Sequence, residues 1–313
     1  MNTLKLKSYA KVNLTLEITG AENGYHMLDS CVASIDLYDL IVLKKRKNGL
    51  SSIRMIGMGS ESIPPEKNNA LKAAEAFSKR YGVNGVEITV YKNIPMGAGL
   101  GGSSADVAGV LVGMARLYGI EDQDGLGALA DELGSDTRYM LSGGFARMQG
   151  RGEKVTPLPV STQLHLLLFC PQTDVSSGAC YREYDRLSLR TDVQNATENL
   201  IAALAAGREN DGGRYLMNDL YIPAASLNPD IKTAMEEAQS FSPLGAVMTG
   251  SGSCVLAWFE TKELCEWAKS RYRGKFRTIV TKTVVPDYKK SARRFGFRNP
   301  FVLSQEEIEQ TEK

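Results

Sequence analysis

Residues 94–119 read IPMGAGLGGSSADVAGVLVGMARLYG, a glycine-punctuated turn that runs into a long apolar helix. Gly97, Gly99, Gly101 and Gly102, with Gly109 further on, allow positive φ and let a ligand lie against bare backbone. Ser103 and Ser104 stand where the helix should begin, and Asp106 is the only charged residue of its first turns. A helix N-terminus fed by such a loop presents unpaired N–H groups and a positive dipole end, which suits phosphate. The expectation is a cradle for the phosphates of a nucleotide.

Two other readings compete. Gly97, Gly99 and Gly102 spell G-x-G-x-x-G, a dinucleotide fingerprint that is weak by itself. The strand VEITVY (86–91) precedes it, but Lys92, Asn93, Ile94 and Pro95 intervene. A Rossmann unit runs from strand to first glycine and continues to a second strand ending in an acid about 20 residues on. Here EDQDGLGALADELG follows, a loop and a helix. A serine-capped turn with glycines for packing is the third reading. No G-x-x-x-x-G-K-[ST] occurs, so a Walker loop is excluded.

With 313 residues the chain has room for two domains. The proposed division is 1–157, 158–286 and a tail over 287–313, because a β-hairpin ends and a new apolar strand begins near residue 157. A formal net charge of +1 gives no electrostatic reason for a nucleic-acid or membrane partner. An anionic substrate must therefore be held by local charge and backbone amides. Cys31, Cys170, Cys180, Cys254 and Cys265 are scattered and odd in number, which reads as free thiols of a cytoplasmic protein. His26 and His165 are the only histidines, too few for a histidine-rich zinc site. His165, inside TQLHLLLF, reads as a core histidine with a hydrogen bond.

Strand material is expected over 4–19 and 30–43, with Lys44, Lys45, Arg46 and Lys47 as a solvated hairpin tip. An amphipathic helix is expected over 68–81, with Leu71, Ala74 and Phe77 on one face. The glycine loop and its helix follow, then a helix over 125–133 and a hairpin at Gly150–Gly152. The second half reads as a strand at 162–169, helices at 197–206, around NDLYIPAASL and at 229–241, and a second glycine loop, MTGSGSCVLAWF (248–259). That loop feeds directly into a strand, with a helix at 261–272 and a closing strand at 276–285.

The loop IPMGAGLGGSSADVA resembles the central motif of the GHMP kinases, the family of galactokinase, homoserine kinase and mevalonate kinase. MTGSGSCVLAWF is similar to their third motif. AKVNLTLEITG with NGYHMLDS, LGSD (133–136), GRGEKVTPL and NDL (218–220) narrows the resemblance to the branch acting on a cytidine diphosphate-linked alcohol in non-mevalonate isoprenoid precursor biosynthesis. The matching motifs run in order from about residue 5 to 285. The resemblance implies an α/β (α+β type) two-domain kinase: an N-terminal domain like ribosomal protein S5 domain 2 and a C-terminal ferredoxin-like domain. It implies ATP over the loop and Mg2+ with it. A monomer or weak homodimer is expected.

What the resemblance implies for single residues can be stated. Asn68, Pro95, Met96, Gly97, Ala98, Gly99, Leu100, Gly101, Gly102, Ser103, Ser104 and Ala105 would hold the nucleotide, with the Ser104 hydroxyl on a phosphate or on Mg2+. Asn68 reads equally as the N-cap of the helix after it. Asp136 would accept or orient the acceptor's hydroxyl, against the alternative of an N-cap. Lys11 would lie across from it, lowering the hydroxyl's pKa and offsetting transferring charge. Tyr25 and His26 would take the cytidine, Asn13 the acceptor's hydroxyls or diphosphate. Gly250, Ser251 and Gly252 would pack near acceptor and phosphates, or form a structural turn. Asp106 reads as an acid of the first helical turn or a water-mediated metal partner. The family has a proline where this chain has Arg138, a cation expected beside the acceptor. That departure leaves room for a different small alcohol. A nucleotide-binding protein without catalysis and a dinucleotide oxidoreductase are the readings from other classes.

Overall fold

The computed structural model describes residues 2–47, 49–173, 175–189 and 195–287. Two sheets organise it. The first takes β1 (Thr3–Asn13), β2 (Thr15–Glu22), β3 (Tyr25–Lys45), β4 (Ser52–Ile56), β5 (Val86–Tyr91), β6 (Phe145–Gly150) and β7 (Lys154–Pro157), plus the two-residue β9 (Met217–Asn218) from the second half of the chain. The long β3 is its spine. One end pairs antiparallel with β2 and β6, the other with β1 and β5. β4 runs parallel to β5, and β9 parallel to β2. The second sheet has the order β10 (Gly245–Met248), β11 (Val255–Phe259), β8 (His165–Cys170), β12 (Arg277–Lys282) and is antiparallel throughout.

Alternation makes the first half of β1: Leu4 and Leu6 are buried while Thr3 and Lys5 are exposed. They meet α1 (Asn69–Tyr81), α2 (Gly102–Tyr118) and α3 (Gln123–Leu133) over a core of Ile41, Leu43, Phe77, Ile88 and Leu111. Each such side chain, fully buried, contributes about 1.5–3 kcal/mol. α1 begins because Asn68 accepts from the amides of Ala70 and Leu71, and ends at Gly82 with φ 63°. α2 is buried around most of its circumference. Gly109 and Gly113 let it press onto the sheet, since a Cβ there would lie 2.4 Å from Ile41 Cδ1 and from Leu43 Cδ1 respectively.

The second half adds α4 (Thr137–Met140), α5 (Ser177–Leu187), α6 (Ala196–Ala205), α7 (Glu209–Gly212), α8 (Tyr221–Leu227), α9 (Pro229–Gln239) and α10 (Lys262–Arg271). α9 and α10 cover the second sheet over Phe169, Ile231, Val255 and Cys265. α5 is absent from the sequence reading. Its apolar face is built of tyrosines and one cysteine, SGACYREYDRL, rather than aliphatic residues.

Four expectations change. Cys170 and Cys254 are joined as a disulfide, whereas Cys31, Cys180 and Cys265 are free and buried. The antiparallel register that sets Val255 against Phe169 brings these two cysteines face to face, a juxtaposition that 84 residues of separation hide in the sequence. His165 Nδ1 is buried with no hydrogen-bond partner. Lys44 and Lys45 belong to β3, so only Arg46 and Lys47 leave the strand. A strand, β10, precedes the second glycine loop. The basic and acidic tail segments lie outside the described residues. No helix among the described residues is long and apolar enough to cross a membrane.

Candidate active site

β1 carries a register shift between Tyr9 and Lys11. Irregularities of this kind re-aim a side chain, and here Lys11 turns inward, 4% exposed. Its amide donates to Leu100 O at 3.0 Å, stitching the strand to the glycine loop. Its Nζ donates to Asn13 Oδ1 at 2.5 Å and lies 3.3 Å from Asp136 Oδ2. Asn13 is itself held by Ser30 Oγ at 2.8 Å, and its amide donates to Thr249 Oγ1 at 2.9 Å. Asp136 occupies the N-cap position of α4, yet its side chain caps nothing. The carboxylate is turned to Lys11 instead.

The glycine loop runs past this pair. Gly97, Gly99 and Gly101 have φ of 64°, 74° and 70°, the region that favours glycine. A Cβ on Gly101 would lie 2.5 Å from Met140 Cε and 3.1 Å from Lys11 Cγ. The second glycine loop locks against the first: Cys254 N donates to Ala98 O at 3.2 Å, and Thr249 Oγ1 donates to Gly99 O at 3.4 Å. Gly101 is the N-cap of α2 and no side chain caps that end. Ser103 and Ser104 are therefore first-turn residues, not caps, and the helix's leading amides have no partner within the helix. Ser104 Oγ sits against the turn at Gly134, 3.5 Å from where a Cβ there would be.

The Lys11–Asp136 pair and the glycine loop open on one cavity of about 1000 Å³. It is lined by Lys11, Asn13, Tyr25, His26, Asn68, Asp136, Gly250, Ser251 and Gly252, and by the loop from Pro95 to Ser104. Ala105 is the exception among the expected residues. It is buried in the core, and its carbonyl accepts from Ser8 Oγ. Asn68 fulfils both alternatives, capping α1 and lining the cavity.

At the far end Tyr25 is 57% exposed, with the Arg151 guanidinium 4.9 Å over its ring. His26 stacks on Tyr181 at 4.9 Å, meets the edge of Tyr184, and its Nε2 lies 2.8 Å from Asp185 Oδ1. Tyr181, Tyr184 and Asp185 all come from α5, so the sequence reading misses them with the helix. Burial, then the Asp136 charge, pushes the Tyr181 phenol above its ordinary range. Asn218 is also missed, although it lies in the NDL motif. Its Nδ2 donates to Met248 O at 2.7 Å and Gly250 O at 2.8 Å, and its Oδ1 accepts from Leu220 N at 2.9 Å.

Two charge assignments are corrected. Arg138 does not line the cavity. It pairs with Asp131 at 3.1 Å and packs against Gly127 of α3, because the α4 turn directs it outward. Asp106 lies beyond the first turn of α2, so it is not an acid of that turn. It is buried and accepts from Lys92 Nζ at 2.7 Å, and Lys92 also donates to buried Asp39. Asp39 Oδ1 accepts from the amides of Asn93 at 2.6 Å and Ile94 at 2.9 Å. Burial would depress the Lys92 ammonium, but the two carboxylates outweigh it and hold it charged above its usual range.

Known proteins match both halves of the chain. The model for the GHMP kinases N terminal domain matches residues 68–146, and that for the GHMP kinases C terminal matches 200–277. A 4-diphosphocytidyl-2-C-methyl-D-erythritol kinase from Caldicellulosiruptor saccharolyticus is 35% identical over 282 residues, covering 89% of this chain and 96% of its own. A crystal structure of 4-(cytidine 5'-diphospho)-2C-methyl-D-erythritol kinase superposes with a TM-score of 0.74 at 31% identity, covering 90% of this chain and 100% of that one. A homoserine kinase from Cytophaga hutchinsonii shares the fold at 19% identity, TM-score 0.68, over 91% of this chain and 95% of its own. With family matches in both halves and full-length relatives of this order, the chain belongs to the GHMP kinase family and has its two-domain mixed α/β fold.

Proposed function

We propose that this chain phosphorylates the 2-hydroxyl of 4-diphosphocytidyl-2-C-methyl-D-erythritol with ATP, a step of non-mevalonate isoprenoid precursor biosynthesis. The observation that carries the reading is the Lys11–Asp136 pair, 3.3 Å apart, on the same cavity as the bare amides of the glycine loop. The relatives named for this activity support the choice of acceptor. Arg138, the residue that would favour a different acceptor, pairs with Asp131 and does not itself line the cavity. We divide the chain near residue 157, between β7 and β8.

The chemistry asks mainly for positioning and charge stabilisation. The loop amides and the N-terminus of α2 hold the β- and γ-phosphates. Asp136 accepts the proton of the acceptor hydroxyl as that oxygen bonds to the γ-phosphorus, and the bond from phosphorus to the bridging oxygen breaks to release ADP. The Lys11 ammonium holds the Asp136 carboxylate in place and offsets charge on the transferring group. Asn13 fixes Lys11 through their hydrogen bond and faces the acceptor. Tyr25, His26 and Tyr181 offer aromatic faces to a pyrimidine.

Mg2+ fits the oxygen donors present: Ser104 Oγ lies beside the Gly134 turn that leads to Asp136. Among the described residues no cluster of three or more acidic, histidine or cysteine side chains could hold a metal. That suits a cation carried chiefly by nucleotide phosphates, as Mg2+ usually is. Bound there, it would neutralise phosphate charge.

The test is an ADP-release screen comparing 4-diphosphocytidyl-2-C-methyl-D-erythritol with mevalonate, homoserine and galactose. Turnover with the cytidylylated alcohol alone is expected. Turnover only with another alcohol, or none without a nicotinamide cofactor, rejects the reading.

A further inference from the structure

The glycine loop leaves β5 after Tyr91 and enters α2 at Gly102. Lys92 at its start and Asp106, one turn into α2, meet through their side chains at 2.7 Å across a sequence separation of 14. Asp39, from the middle of β3, completes the cluster. One carboxylate oxygen accepts from Lys92 Nζ and the other from the amides of Asn93 and Ile94, which lead into the loop. All three side chains are buried, at 0%, 5% and 4% exposure for Asp39, Lys92 and Asp106. Lys92 and Asp106 also line the floor of the cavity.

A buried ammonium between two carboxyl groups is a poor way to stabilise a fold: burial pushes the Asp106 carboxyl up to about 8 against the pull of Lys92, and its Oδ1 has no hydrogen-bond partner. Desolvation of each charge opposes folding, and apolar residues of similar volume often serve as well or better. The arrangement does have one geometric effect that apolar packing lacks. It ties the loop's entry, the loop's exit and the underlying strand at fixed hydrogen-bond distances, without using a single loop amide between Pro95 and Ser104. Those amides stay available to a ligand. A Cβ on Gly102 would lie 3.1 Å from Ile94 Cγ2 and 3.5 Å from Lys92 Nζ, so the helix's first residue is seated directly on the cluster.

We propose that Asp39, Lys92 and Asp106 are positioning residues: a charged clasp that closes the loop on itself and sets the stance of its amides toward the triphosphate. This rests on the reading of the loop as the triphosphate site. The clasp acts through the backbone and touches neither the acceptor nor the Lys11–Asp136 pair. Its loss should weaken nucleotide binding selectively.

Asp106→Ala separates this from a role in stability. It removes the tie to α2 and leaves the Lys92–Asp39 ion pair in place. Calorimetric titration of the intact chain with adenylyl imidodiphosphate should show Kd raised about tenfold, as expected when a binding group is displaced, with Tm unchanged or higher. The KM for the acceptor should stay within about twofold of wild type. Asp106→Asn, which keeps an acceptor oxygen for Lys92, should restore Kd to near the wild-type value. The neutral replacement Asp39→Asn with Lys92→Met and Asp106→Leu provides a second test, with Tm retained and nucleotide affinity lost. Unchanged nucleotide Kd in a folded Asp106→Ala or triple variant overturns the clasp. Wild-type protein that binds no nucleotide overturns the clasp and the phosphate-loop reading together. Wild type that binds nucleotide but phosphorylates none of the acceptors overturns only the catalytic reading, and the Kd comparison still decides the clasp.

Discussion

Lys11 and Asp136, separated by most of the first half of the chain, bring ammonium and carboxylate to 3.3 Å at the mouth of a glycine loop. If they carry phosphoryl transfer, Lys11→Ala and Asp136→Asn should each lower kcat by roughly 10²–10⁴. The KM for ATP should change little, because the loop amides remain. Steady-state kinetics with both substrates varied makes the check, and near-normal kcat in both variants ends the assignment.

Gly99 meets the second glycine loop at a distance that admits no side chain. A Cβ would lie 2.1 Å from Thr249 O, at a φ of 74°. Gly99→Ala should therefore prise the two loops apart. The backbone strain alone is of order 1–3 kcal/mol, so Tm should fall and the KM for ATP should rise. Thermal melts and initial rates measured on the same preparation show whether the two move together.

Asn218 donates to Met248 O and Gly250 O of the second loop and accepts from Leu220 N on its own segment. Asn218→Ala leaves these groups without their side-chain partner, at a cost of about 1–3 kcal/mol. Asn218→Asp keeps the bond to Leu220 N but loses both donors. Both variants should show a lower Tm and a lower kcat/KM for the acceptor, and Asn218→Asp should not rescue.

Tyr181 forms the aromatic wall against which His26 stacks. Stacking between a base and an aromatic ring is worth about 1–3 kcal/mol. Tyr181→Ala should raise the acceptor's KM by roughly tenfold, the lower end of that range, with the KM for ATP unchanged. Tyr181→Phe should remain near wild type. Equal effects of the two variants would falsify a stacking role.

The parts legible in the sequence are those whose physics is local. VEITVY is β5 to the residue, Asn68 caps α1, and the glycine loop lies where its positive-φ requirement puts it. Lys11 and Asp136 were reached only through the family resemblance, since nothing near either residue marks it as chemical. What escaped depends on partners far along the chain. Asp39 and Lys92 are 53 residues apart and Cys170 and Cys254 are 84 apart. Neither pair has a spacing that signals contact. α5 escaped because tyrosines that face a cavity do not look like a core stripe, and Tyr181 and Asp185 went unread with it. Ala105 and Arg138 were misjudged for a related reason. A motif says which residues are near a site but not how the helix turns each one, and these two point to the core and outward.

β9 is only two residues long, yet it adds a strand from the second half to the edge of the first sheet, beside β2. Chains emerge from the ribosome N-terminus first. A nascent chain that holds only β1–β5 and α2 thus has the first glycine loop without its partners in the second, since Thr249, Gly250 and Cys254 are still to be made. The contacts that brace the first glycine loop from Thr249 and Cys254 therefore form only after most of the polypeptide has been synthesised.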